Sequence, residues 1–167
     1  MQQDIAAQMA AMERRLKLAE DQLAILQVLA SYGPAVDSRS AAATAALWAP
    51  GGCYDFGDEP VRGAKAVGAI VDLDTHRGYV DRGCAHVMGL PMVTISGDRA
   101  IATSYSRVYL YDGDGWRVER ASANRWELQR TPEGWRVTNR INRLMDGSPA
   151  GREILERGLA DREGGGQ

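Results

Sequence analysis

Apolar side chains recur along the start of the chain at alternating steps of four and three: Ile5, Met9, Met12, Leu16, Ala19, Leu23, Leu26 and Ala30. This is a heptad seam, and it predicts one long helix over residues 4–32. Gly33-Pro34 reads as its stop. Residues 1–20 are read as an N-terminal helical extension, residues 21–147 as one domain, and residues 148–167 as a short helix and a disordered tail. A seam sustained over many turns is costly to leave in water. The extension therefore reads as an arm packing on a neighbouring subunit rather than as a solvated tail.

After a linker, 35–40, that carries Asp37, a second helix is expected over 41–48, stopped by Pro50-Gly51-Gly52. A short strand, 53–56, carries Tyr54. A third helix follows over 64–73, with Ala64, Val67, Ile70 and Val71 on its inner side. Residues 74–83 read as a loop. The period then changes to two, which predicts strands over 84–95, 99–111, 116–130 and 135–145. Ser96-Gly97-Asp98, Asp112-Gly113-Asp114-Gly115 and Thr131-Pro132-Glu133-Gly134 separate them as hairpin turns. Pro149 begins a last short helix through Leu159, and Gly164-Gly165-Gly166 reads as disordered. Helices first and an antiparallel sheet after them is an α+β layout. The helices should cover one face of a curved sheet and leave a conical pocket suited to a small apolar molecule.

The first long strand places His86, Met88, Leu90, Met92 and Thr94 on one face, apolar except for the imidazole. The last places Trp135, Val137, Asn139, Ile141 and Arg143 on one face, so an inward Trp135 implies an inward Arg143. The chain has two histidines, His76 and His86. An oriented imidazole among apolar side chains can act as a base near neutral pH. Its plainer reading is a core histidine with a hydrogen-bond partner. His76 reads as solvent-facing or part of a lid, and Trp48, Trp126 and Trp135 read as core.

Composition narrows the function classes. The chain has 167 residues, 44% hydrophobic and 25% charged, with a net charge of −2. That suits one globular domain and leaves no electrostatic footprint for nucleic acid. No apolar run reaches membrane-spanning length, and Glu13, Arg14 and Arg15 interrupt any signal peptide. Cys53 and Cys84 are too few for a disulfide framework, so free thiols and a cytoplasmic location are expected. No nucleotide loop, flavin motif or metal cluster is present, so no cofactor is implied.

Several pieces together resemble the SnoaL-like branch of the nuclear transport factor 2-like superfamily. They are Tyr32 with Asp37, Leu47-Trp48, Tyr54, Ala85-His86-Val87, Ser96-Gly97-Asp98-Arg99-Ala100, Glu133-Gly134-Trp135-Arg136-Val137 and Asn142-Arg143. Scytalone dehydratase, bile acid 7α-dehydratases and a hexachlorocyclohexane dehydrochlorinase belong to that branch. The resemblance implies a cone-shaped α+β barrel and supports what the seam suggests, a homotrimer or homodimer joined through the sheet with residues 5–30 contributing. It also implies that Asp37 orients His86, that Tyr32 and Tyr54 line the cavity, and that Arg143 comes from the last strand. His76 and Asn124 are stand-ins for two further pocket groups. Each residue has a plainer reading. Asp37, with Ser38 and Ser40, could cap the next helix; the tyrosines could be packing; Arg143 could make a rim salt bridge.

The function implied is a cofactor-independent lyase or isomerase, dehydratase-like, with His86 as base and Tyr32, Tyr54 and Arg143 as donors to a developing oxyanion. Its substrate would be a small, mostly apolar, cyclic molecule with a carbonyl or hydroxyl. The alternatives are a polyketide cyclase-like enzyme and a non-catalytic small-ligand-binding module, since one fold hosts many functions.

Overall fold

The computed structural model describes residues 2–164. Helix α1, Gln2–Asp37, leads into α2, Ala41–Ala46, then strands β1, Trp48–Asp55, and β2, Val61–Arg62. Helix α3, Ala64–Gly68, a 3-10 turn, Ala69–Asp72, and α4, Asp74–Arg82, follow. The rest is β3, Cys84–Met88, β4, Met92–Ser96, β5, Arg99–Tyr111, β6, Trp116–Thr131, β7, Gly134–Leu144, and helix α5, Pro149–Gly164. The expected tail beyond Gly164 lies outside the described residues. The α+β layout is as expected, with a sheet that is curved but unclosed.

The seven strands pair in the order β2-β1-β7-β6-β5-β3, with β4 also on β5. Only β1 and β7 run parallel. The first helices pack on one face of the sheet, where Ile25, Leu29, Val36, Val67 and Val71 meet Trp48, Trp126, Leu128, Trp135 and Val137. Helix α5 covers part of the other face so closely that a Cβ on Gly158 would stand 2.4 Å from Thr103 Oγ1. At one end of the sheet Asp21 of α1 receives Arg130 at 2.5 and 2.6 Å and the Trp135 indole at 3.2 Å.

Pro50-Gly51-Gly52 do not stop a helix but lie inside β1, and α2 ends at Ala46; four further expectations need correction. First, α1 does not stop at Gly33-Pro34 but runs to Asp37 with Pro34 inside it. Pro34 faces solvent, where water can satisfy the carbonyl its missing N–H leaves free. Second, residues 74–82 are not a loop but helix α4, held by burial of His76 rather than by its weak helix formers.

Third, the expected strand 84–95 is two strands, broken at Gly89-Leu90-Pro91. Met88 faces Ser106 and Met92 faces Thr103, so three residues span a gap of two on β5. One extra residue exchanges the faces. Met92 and Thr94 leave the His86 face, Val93 and Ile95 replace them against the core, and Leu90 is 88% exposed.

Fourth, β7 makes the same kind of slip. Glu127 pairs with Asn139 and Leu128 with Val137, which leaves Thr138 as the extra residue. Its hydroxyl donates to the Glu127 carbonyl at 3.1 Å. Beyond this bulge Arg140 and Asn142 turn inward and are buried, whereas Arg143 turns away.

Candidate active site

The site is positioned by a close approach of α1 to β3. A Cβ on Gly33 would stand 2.2 Å from the His86 carbonyl oxygen, so only glycine lets the two backbones touch there. Asp37 lies one helical turn further on, on the same face of α1. Its carboxylate grips His86 twice, accepting the backbone N–H at 2.7 Å and the ring Nδ1–H at 2.6 Å. Nδ1 is thereby the donor nitrogen, and Nε2 is left as the basic one. Burial works against the Asp37 carboxylate, but the bonds from His86 outweigh it and hold its pKa below the ordinary carboxylate range.

Cys84 also leans on Asp37, with Sγ 3.5 Å from Oδ1. Burial and the adjacent carboxylate push this thiol up to about 12, so it is neither a nucleophile nor a ready thiolate ligand at neutral pH. Asp37, Cys84 and His86 do offer three ligand atoms within 4.8 Å of one another. The protonated thiol and the existing carboxylate–imidazole bond make that set a poor match to a resident metal. Cys53 and Cys84 are both free.

A cavity of about 20 Å³ is lined by Tyr32, Tyr54, His86, Met88, Ser106, Val108, Arg140 and Asn142, together with the exposed Arg107 and Arg120. It has room for about one water. The expected apolar wall of Met88, Leu90, Met92, Val137 and Ile141 contributes only Met88: Leu90, Met92 and Ile141 lose the inward face to the phase changes, and Val137 packs in the core cluster with Trp48 and Trp126. The lining is more polar and more cationic than expected. Arg120 lies in the His86 row of the sheet, across Val108.

Arg143 does not reach this cavity. It forks onto the Asp55 carboxylate at 2.7 and 2.8 Å, the plainer of its two readings. Arg140 takes the inward place instead. Its guanidinium carbon lies 4.2, 4.5 and 4.1 Å from the ring centres of Tyr32, Tyr54 and Trp126. Nε and Nη2 both donate to Asn124 Oδ1, at 3.1 and 2.8 Å, while Nη1 is buried without a partner. Asn124 in turn donates to Ser106 Oγ at 2.9 Å and accepts from Asn142 at 2.7 Å. Among the described residues no carboxylate pairs with Arg140. Tyr32 and Tyr54 meet edge to face with centroids 6.4 Å apart, and burial pushes the Tyr54 hydroxyl well above the usual phenol range.

His76 is buried rather than solvent-facing. Nε2–H donates to the Val36 carbonyl at 2.9 Å, and its ring centre stands 5.4 Å from that of His86. Burial lowers its pKa, so it packs beside the pair as a neutral ring. Ser40, not Asp37, caps α2, accepting the Ala43 N–H at 3.1 Å. Asn124 shares the parity of Trp126, so a core face holding both already asked for a buried donor. That was the available signal for Arg140.

Residues 17–141 match the family model of the SnoaL-like domain. The chain belongs to the SnoaL-like family. A crystal structure of a nuclear transport factor 2-like protein with a cystatin-like fold from Novosphingobium aromaticivorans is 41% identical, with a TM-score of 0.84 over 86% of this chain and 94% of that one. A nuclear transport factor 2-like superfamily protein from Salmonella enterica shares the fold at 12% identity and TM-score 0.63, over 75% of this chain and 91% of its own. A protein from Catenulispora acidiphila, crystallised with S-DNPA, does so at 20% identity and TM-score 0.67, over 81% and 98%. No curated protein matches this SnoaL-like chain in sequence.

Proposed function

We propose that this SnoaL-like protein is a cofactor-independent lyase or isomerase in which His86 abstracts a proton next to a carbonyl. The observation that carries the reading is the Asp37–His86 pair at 2.6 Å on the wall of a small cavity. Asp37 fixes the Nδ1–H tautomer and stabilises the imidazolium that forms, leaving Nε2 to take the proton. The electrons move onto the substrate carbonyl oxygen. The unpartnered Nη1 of Arg140 and the hydroxyls of Tyr32 and Tyr54 are the donors for that oxyanion, in the role first expected of Arg143. One such donor in a dry site contributes on the order of 3 kcal/mol. Loss of hydroxide from the neighbouring carbon completes a dehydration; return of the proton to another carbon completes an isomerisation.

The cavity is far smaller than an ordinary ligand pocket, so a substrate enters only as side chains swing aside. Unbranched Met88 and exposed Arg120 are the wall members freest to move. The polar lining also revises the substrate. Its reacting end bears an oxygen that becomes anionic, and a wholly apolar molecule would leave Arg140 uncompensated.

Proton abstraction is measurable before the natural substrate is known. Cyclic ketones incubated in D2O should exchange deuterium at carbons next to the carbonyl, followed by NMR. His86→Ala should abolish this exchange, and Asp37→Asn should slow it by about 10³-fold or more. Exchange at the wild-type rate in His86→Ala would make His86 a core residue and overturn the reading.

A further inference from the structure

The two sides of α1 carry different apolar stripes. Asp21, Ile25, Leu29, Tyr32 and Val36 are buried against the protein's own sheet. The heptad seam lies elsewhere: Ile5, Met9, Met12, Leu16 and Leu23 are 53% to 67% exposed. Leu16 and Ile25 are nine residues apart, which at 100° per residue sets them on opposite sides of the helix. The seam begins upstream of the matched domain, which starts at residue 17, and the described residues contain nothing that covers it.

We infer that this stripe is the dimer seam of a parallel two-stranded coiled coil, its occupant the α1 helix of a second copy of this chain. The steps of the seam assign Met9, Leu16 and Leu23 to the a positions and Ile5, Met12, Ala19 and Leu26 to the d positions. A seam of this kind is self-complementary. The flanking charges choose the direction. Arg15 is a g residue and Glu20 the e residue five positions on, so a parallel pair sets Arg15 against Glu20 of the partner twice. Neither makes an ion pair within its own chain among the described residues. An antiparallel pair would instead set e against e, and the charged e residues, Glu13 and Glu20, are both acidic. The geometry allows the parallel arrangement along the N-terminal part of α1, because Ile5, Met9, Met12, Leu16 and Leu23 stay exposed and β3 meets α1 further along, at Gly33 and Asp37. Two helices can meet back to back with the two domains outermost.

The test uses the full chain. Leu16→Glu lies outside the domain core, so the domain should stay folded, with the strand signal of its far-ultraviolet spectrum retained. By light scattering at micromolar concentration it should halve the wild-type mass. Ala19→Cys, at a d position, should form an interchain disulfide under mild oxidant much faster than Arg14→Cys, on the side away from the seam. An unchanged mass for Leu16→Glu overturns the inference. So does a halved mass in which Ala19→Cys crosslinks no faster than Arg14→Cys, since the seam would then not be parallel.

Discussion

Arg140 and Arg143 lie three residues apart on β7 and meet opposite surroundings. Arg143 stands on the side away from the cavity and forks onto the carboxylate of Asp55. Arg130 does the same with Asp21, and Arg125 pairs with Asp161. Arg140 is the most buried of these arginines, at 2% exposure, yet it is held by one neutral amide and three aromatic faces. A buried arginine is costly unless it is neutralised or well hydrogen-bonded, and a carboxylate partner is the usual solution. On the proposed mechanism, an arginine kept without a counter-ion is poised for a negative charge that arrives later. The comparison then separates arginines paired within the fold from the one proposed to receive the oxyanion.

The largest expected effect breaks the comparison at its deepest point. Asn124→Leu removes the only acceptor of Arg140 among the described residues and leaves the buried cation with aromatic faces alone, at a cost on the order of 4 kcal/mol in urea unfolding. Adding Arg140→Met to Asn124→Leu should restore part of that loss, because the charge goes and a thioether fills the aromatic cage. If Asn124→Leu costs no more than removal of a surface carboxylate, Arg140 is solvated and its special standing disappears.

Why Arg140 escaped the sequence reading, while Asp37 and His86 did not, is a matter of phase. The helical seam, the hairpin turns and the long β5 and β6 strands were legible, because each rests on a sustained period; the one extra residue of β6 against β5, Glu119, lies outside the stretch that faces the core. His86 stood out as one of two histidines, and a resemblance in motif order named Asp37 as its partner. The inward faces of β3–β4 and β7 were misjudged because alternation was carried across one extra residue, near Pro91 in one case and at Thr138 in the other. A bulge at Thr138 leaves no mark in composition; it is fixed by the pairing of β7 with β6 and with β1. Helix α4 was missed because Asp74, Thr75 and Gly78 are weak helix formers, and what holds it is His76 against Val36. Gly33 read as a helix stop because a glycine that permits close approach and one that ends a helix look alike in sequence.

The paired arginines should also differ from Arg140 in their response to acid. Bonds from Arg130 lower the Asp21 pKa from 3.8 to about 2. The folded value lies below the unfolded one, so the stabilisation is complete above about pH 4 and is lost as pH falls through about 2. Asp21→Asn should therefore cost about 2 kcal/mol at pH 7, and the difference from wild type should shrink towards zero near pH 2. The penalty of Asn124→Leu involves no carboxylate and should show no such narrowing over the same range. Urea titrations at several pH values check both; a pH-independent penalty for Asp21→Asn would place its contribution in packing.

The smallest effect belongs to the arginine first expected in the cavity. Asp55→Asn keeps the shape and the acceptor for the Gly57 N–H but removes the charge facing Arg143. Both side chains retain about a quarter of their exposure, 25% for Asp55 and 28% for Arg143. Solvent therefore screens the pair, and the loss should be about 1 kcal/mol. The guanidinium stays partly wet and keeps the Asn142 carbonyl at 2.8 Å, so nothing is stranded as it is at Arg140. Arg143→Met should cost a similar amount and leave deuterium exchange within a factor of about 2, since its head group makes no contact with the His86 cavity. Arg140→Met should slow that exchange by about 10²-fold, the loss of one oxyanion donor. A result in which Arg143→Met is the slower of the two would return the donor role to Arg143 and dissolve the distinction between the two arginines.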